Sequence, residues 1–498
     1  MSLATVLSRA PAALQSPLVR VEVHLAPGLP AINLVGLPEK AVKESKDRVR
    51  AALANSGLVL PPRHITINLA PADLPKDGSR YDLPIALGLL QAVGALPDFD
   101  PERFEFHGEL ALSGALRPTG GILPAALAAR EAGRIIVVPP ENLAEAQLIH
   151  PEARAVASLG ALLAVLRGEG EWLTRAPPLA VPPAPVADFS EVLGQHQAKR
   201  ALLIASAGGH HLLMFGAPGT GKSMLAARLA GILPPMSEAE AIETATLQSL
   251  SSQGFDPAQW QRRPYRAPHH SSSASALAGG GSYPRPGEIS LAHHGVLFLD
   301  ELPEFDRRVL EMLREPLETG VISISRVQRK CDFPARFQLV AAMNPCPCGY
   351  HGDPERPCQD SPERVRRYRQ RISGPLLDRI DLRLHIPRLT PRQLREQAEG
   401  AGASSAELQA AAQEARERQL HRQGKANAAL GSGELSSHLR LAPEAEALLD
   451  RAAEQLHLSM RSYQRLLRVA RTIADLAASD RIGRVHLAEA LSYRTEDF

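Results

Sequence analysis

The 498-residue chain is too long for one hydrophobic core and predicts two to four domains. A net charge of +2 gives no global attraction to a polyanion, so any nucleic-acid surface must be local, and no run of about 18 apolar residues offers a membrane span. Four cysteines exclude a disulfide scaffold, and 48 Arg against 8 Lys read as a GC-rich gene rather than a function.

The N-terminal stretch MSLATVLSRAPAALQSPLVRVEV has no basic region ahead of its weak apolar run. It reads as a first strand, not a signal peptide, and the expected compartment is the cytoplasm. Strands are predicted over 19–25, 64–69 and 134–138, and amphipathic helices over 38–55 and 123–132. Between them, LPKDGSRYDLP (74–84) resembles the opening of the nucleophile segment in Lon-type serine proteases. That family needs a Ser–Lys pair. Here the serine's position holds Arg80, with Ser79 one residue early, and the later Gly120-Gly121 turn has Leu123 where the lysine belongs. A serine without an activating base is not a nucleophile at neutral pH. The resemblance therefore implies a Lon-protease-like α/β domain (S5 domain 2-like) over 1–174 without protease chemistry. Arg80, near Lys76, is expected either to touch DNA or to ion-pair with Asp77 or Asp82.

RAPPLAVPPAPVADF (175–189), with five prolines and no helical period, reads as a semi-rigid linker. An α/β segment follows over 190–389. Residues 390–498, rich in Ala, Leu, Glu and Arg at helical spacing, predict an all-helical domain.

HHLLMFGAPGTGKSMLAARLAG carries the strongest signal. An apolar strand (Leu212–Phe215) runs into Gly216, Ala217, Pro218, Gly219, Thr220, Gly221, Lys222 and Ser223, then into a helix. This is a phosphate-binding loop in the strand–loop–helix setting it requires. Its backbone N–H groups and the helix N-terminus would cradle ATP phosphates. Lys222 would reach the β- and γ-phosphates, and Ser223 would hold Mg²⁺. In HGVLFLDELPEF, a buried strand (Val296–Leu299) delivers Asp300 for Mg²⁺ and Glu301 to polarise the attacking water. FQLVAAMNPCPCG ends a further strand in Asn344, either a sensor residue that helps position the lytic water, as in ring ATPases, or a turn residue. Arg379, in SGPLLDRIDLRLHI, suits either an arginine finger reaching a neighbouring subunit or an ion pair with Asp378 or Asp381. Arg461, Arg465 and Arg468 fall on one helix face. Arg461 could serve as a second sensor, and the others as a solvated basic stripe.

Together these motifs resemble the AAA+ superfamily, and residues 263–305 resemble its magnesium-chelatase-like branch. With the Lon-like N-terminal half, the MNPCPCG segment and the LLRVARTIADL helix, the chain resembles the YifB/ComM family over nearly its whole length. The resemblance implies an N-terminal Lon-like domain, an AAA+ P-loop core and a C-terminal helical lid. It also implies a homo-hexamer with ATP at subunit junctions, an insert within about 262–292, and a hairpin over 320–334. The family's competence member is regarded as a helicase driving branch migration when donor DNA is integrated during natural transformation. That implies single-stranded and branched DNA as partners and no membrane.

Within GVISISRVQRKCDFP, Val321, Ile322 and Ile324 alternate with serines, and Arg326, Arg329 and Lys330 cluster near the tip. Projected into a ring pore, these cations would meet a phosphate backbone without regard to base sequence. Otherwise they protect an exposed strand edge. Gly279–Gly281 with Arg285 offer a second pore element. Cys346, Cys348 and Cys358 with Asp360 or His351 are compatible with Zn²⁺, or are free thiols in a reduced cytosol. A protein unfoldase would present an aromatic pore loop, which this basic hairpin lacks. A chelatase motor subunit would lack the Lon-like half.

Overall fold

The computed structural model describes residues 3–11, 15–97, 99–176, 187–251, 253–280, 285–326, 329–353, 355–390, 393 and 402–494, without the side chains of 40, 325, 326, 329, 330 and 436. Most of the proline-rich stretch, 177–186, lies outside them. Two compact units result, 1–183 with 241–260, and 184–240 with 261–498. Residues 241–260, which the sequence assigned to the ATPase core, group with the N-terminal unit.

The first unit is built on a seven-stranded sheet. Its spatial order is Ala31–Val35, His64–Ala70, Leu18–Ala26, Leu3–Arg9, Phe104–Phe106, Ile135–Val138, Arg154–Ala155. Leu18–Ala26 pairs antiparallel with both neighbours, and the remaining pairings are parallel. In Leu18–Ala26 alternate residues (Val19, Val21, Val23, Leu25) are buried, as a half-covered strand requires. The almost wholly buried helix Asp82–Ala92 joins them in one core. The helices Lys40–Asn55 and Ile122–Glu131 stand where the sequence predicts them.

The second unit holds a five-stranded, all-parallel sheet. Its order is Tyr265–Arg266, Val296–Leu299, Gln338–Met343, Leu212–Phe215, Leu382–His385. The strands Val296–Leu299, Gln338–Met343 and Leu212–Phe215 are buried at every position, which explains why all their residues but Gln338 are apolar. The helices Ser405–Gln423, Pro443–Gln455, Met460–Leu476 and Arg484–Ser492 follow. Leu449, Leu466, Ile473 and Leu487 from these helices share one core with Leu212, Met214 and Val340 of the sheet. The described residues of 390–498 form no strand, only the bridge Leu441–Ile482. Among the described residues no helix is long and apolar enough to cross a membrane.

Candidate nucleotide site

Register brings the motifs together. Phe215 lies opposite Met343 and His385, and Leu299 opposite Ala341, in parallel pairs. Gly216, Asp300 and Asn344, each the residue after its strand, therefore emerge at one sheet edge. That edge, beyond the carboxyl ends of the strands, is where open α/β sheets bind ligands. Gly216 has to be glycine, because a Cβ there would stand 2.4 Å from the Ile386 carbonyl oxygen. Gly219 (φ 77°) and Gly221 (φ 90°) take the left-handed backbone that wraps the loop, and the helix Lys222–Leu229 begins at once.

The Lys222 ammonium donates to the carbonyls of Gly216 (2.7 Å) and Ala217 (3.0 Å) and to Asn344 Oδ1 (3.2 Å). Burial lowers its pKa, and the nearby Asp300 and Glu301 carboxylates act the other way. Ser223 Oγ donates to Asp300 Oδ2 at 2.5 Å, so the two groups expected on Mg²⁺ already converge. Thr220 Oγ1 closes the loop on the Ala217 carbonyl at 3.0 Å. Glu301 follows in a left-handed conformation (φ 52°), its N–H donating to Asp300 Oδ1 at 2.9 Å. Carboxylate, hydroxyl, ammonium and amide thus face one space. Such a set can hold a phosphate chain with its cation and orient a water against it. The sequence reading missed His270, whose Nδ1 lies 3.1 Å from Glu301 Oε2.

Arg379 is buried (7% exposed). It donates to the Pro375 carbonyl (2.6 Å) and pairs with Glu318 (2.5 Å), an acid the sequence reading did not consider; its neighbours Asp378 and Asp381 are not these partners. The bond from Arg379 holds the Glu318 carboxyl below its usual range. On the helix Met460–Leu476, Arg461 is exposed. Arg465 and Arg468 do not form the solvated stripe expected of them. Burial lowers both pKa values, and Arg465 pairs with Asp381 at 3.6 Å. Burial pushes Asp381 up, but the His210 hydrogen bond and the charges of His210, His211 and Arg465 outweigh it and hold the carboxyl at about 2.

Where the hairpin is expected, the strands Val321–Arg326 and Arg329–Pro334 pair in antiparallel register, and residues 327–328 between them lie outside the described residues. The side chains of Arg326, Arg329 and Lys330 lie outside the described residues, as does Gly281. Gly279–Gly280 pair with Arg285–Pro286, and a Cβ on Gly279 would come within 2.9 Å of Ile324 on the hairpin.

The sulfurs of Cys346, Cys348 and Cys358 lie 3.3, 3.6 and 3.6 Å apart. These separations approach the ~3.8 Å edge of a tetrahedron with Zn–S bonds of about 2.3 Å. Asp360 completes the group, with all ligand atoms within 4.8 Å, while exposed His351 does not belong to it. Burial and the neighbouring thiols push Cys346 up to about 12. Gly349 of this knuckle abuts Pro218 of the phosphate loop, where a Cβ would stand 2.6 Å away.

In the N-terminal unit, Ser79 Oγ donates to Glu109 and Lys76 to the Pro71 carbonyl, and Leu123 is fully buried. Arg80 is buried and donates to the Gly120 carbonyl at 2.8 Å, so it is not a surface group for DNA. Asp82 accepts a two-pronged bond from Arg48 (2.8 and 3.1 Å), and Asp77 Oδ1 accepts from the Gly78 N–H.

Three families of the magnesium-chelatase type match the chain: "Subunit ChlI of Mg-chelatase" over residues 21–142, "Magnesium chelatase, subunit ChlI" over 188–394 and "Magnesium chelatase, subunit ChlI C-terminal" over 402–494. An uncharacterized protein YifB of Salmonella typhimurium is 50% identical over 100% of this chain and 98% of its own. The competence protein ComM of Haemophilus influenzae is 49% identical over 99% and 98%. The chain belongs to the YifB/ComM family. The magnesium-chelatase 38 kDa subunit of Rhodobacter capsulatus is 27% identical over 62% of this chain and 88% of its own.

Proposed function

We propose that the protein is an ATP-driven DNA translocase that assembles as a homo-hexamer in the cytoplasm and promotes branch migration during natural transformation and homologous recombination. The convergence of Lys222, Ser223, Asp300, Glu301 and Asn344 on one sheet edge carries the ATPase part of this reading. The basic hairpin sequence and the similarity to ComM support the DNA part. Lys222 and the loop N–H groups would bind the β- and γ-phosphates, and Ser223 and Asp300 would hold Mg²⁺. When bound, that ion neutralises charge on the phosphates. Glu301 would polarise the attacking water, Asn344 would orient it, and Arg461 would act as a second sensor. Arg379 would leave Glu318 to meet the neighbouring subunit's nucleotide. Arg326, Arg329 and Lys330 would grip the DNA backbone.

We also propose that Cys346, Cys348, Cys358 and Asp360 bind Zn²⁺. The N-terminal unit is a Lon-like domain without peptidase chemistry: Ser79 meets a carboxylate, and the lysine's place is a buried leucine.

ATP hydrolysis measured with and without single-stranded or branched DNA tests the scheme. Stimulation of several-fold that fades with added salt is expected. A rate indifferent to DNA, or one raised by unfolded protein instead, would overturn it.

A further inference from the structure

Glu301 is one of seven described non-glycine residues with positive φ. Such a conformation costs on the order of 1 kcal/mol, and at a candidate catalytic carboxylate it points to a side chain held in one direction. His270 supplies a partner in that direction. It lies four residues beyond the strand Tyr265–Arg266, which pairs in parallel with Val296–Leu299. The two strands therefore deliver imidazole and carboxylate to the same sheet edge, with Nδ1 3.1 Å from Oε2. The His269 ring lies against His270 at 4.1 Å, and His269 Nδ1 bonds the Ser271 hydroxyl (2.8 Å) and accepts from the Ser271 N–H (3.3 Å), which fixes the turn.

We propose that His270 is a positioning residue for Glu301. Its Nδ1–H fixes Oε2 and leaves Oε1 for the attacking water. This is the relation of a base to its orienting group. The proposal rests on the reading of Glu301 as the water-polarising carboxylate. The side chains are 35% and 50% exposed. Pairs so exposed add little to folding stability, so the effect belongs to rate. His270 also begins the segment that carries the helix Ala274–Ala278 and the Gly279–Gly280 ladder, so displacement of that segment reaches the carboxylate directly.

Steady-state ATP hydrolysis by the full chain tests this with His270→Ala, His270→Asn, Glu301→Gln and the double variant Glu301→Gln/His270→Ala. His270→Ala should lower kcat about tenfold, with KM for ATP within about twofold and an unchanged melting temperature. His270→Asn should restore most of the rate, because its amide nitrogen takes the place of Nδ1. In the Glu301→Gln background, removing His270 should change kcat by less than about twofold. Wild-type kcat in His270→Ala, no recovery in His270→Asn, or an equal loss in the Glu301→Gln background would overturn the proposal. Wild-type turnover by Glu301→Gln would instead remove the underlying role of Glu301.

Discussion

Lys222 is held by two loop carbonyls and Asn344 in a buried setting, with its charge favoured by those acceptors and by Asp300 and Glu301. A phosphate chain entering this space would meet a cation already stripped of most of its water, so binding it needs little further desolvation. Lys222→Ala removes that cation and leaves the carboxylates to repel the phosphates. ATP turnover should fall at least about a hundredfold. The upward shift in melting temperature that ADP gives the wild type should disappear, and a retained shift would mean that Lys222 does not face the phosphates.

Secondary structure was legible wherever one local pattern decided it. Leu212–Phe215 and Val296–Leu299 are apolar at each residue because both sheet faces are covered, and an apolar run of that length between turns favours a strand over a helix. Gly219 and Gly221 of the phosphate loop were legible for a similar reason, since their left-handed backbone disfavours other residues. Partners far apart in sequence were not legible. Glu318 meets Arg379 across 61 positions, and His270 meets Glu301 across 31. Neither leaves a periodic trace. Arg80 was misjudged because a charged residue reads as exposed until the carbonyl that receives it is known. The cysteine knuckle lies between these cases: its spacing suggested a metal, and only the fold showed three sulfurs and a carboxylate meeting beside Pro218. Purified protein should carry about one zinc per chain, and Cys346→Ser should carry almost none. Chelator-washed wild type should melt earlier and bind ADP more weakly, because the knuckle braces the phosphate loop. Metal analysis showing no zinc in either protein would end that account.

Each unit buries a histidine whose neutral form the fold requires. His107 is held well below its usual pKa by burial, with help from the charges of Arg80 and Arg9. His211 is lowered to about 4, chiefly by burial, and its Nδ1 accepts the Leu339 N–H at 3.0 Å, a bond that protonation would break. In the unfolded chain both rings would take a proton near pH 6.5. The unfolded state therefore binds more protons below that pH, and stability is lost as pH falls from about 6.5 toward 4. By pH 5 the loss is on the order of 2 kcal/mol for His211 alone. Below about 3.8, protonation of Asp381, held at about 2, should weaken the second unit further. Melting temperatures at pH 7.5 and 5 check this, and equal values would show that neither ring stays neutral in the fold.

The proline-rich stretch invites a cut that the molecule does not permit. Residues 241–260 lie more than fifty positions past it in the chain, yet Ala245 completes the cluster with Leu123 and Ile149, and the Ser249 hydroxyl donates to the buried Glu145 carboxylate at 2.7 Å. A fragment ending at residue 183 would bare those leucine and isoleucine side chains and take the Ser249 donor from the carboxylate, leaving it the Asn142 amide. The N-terminal half is thus a discontinuous piece, and grafting or deleting it requires two breaks in the gene.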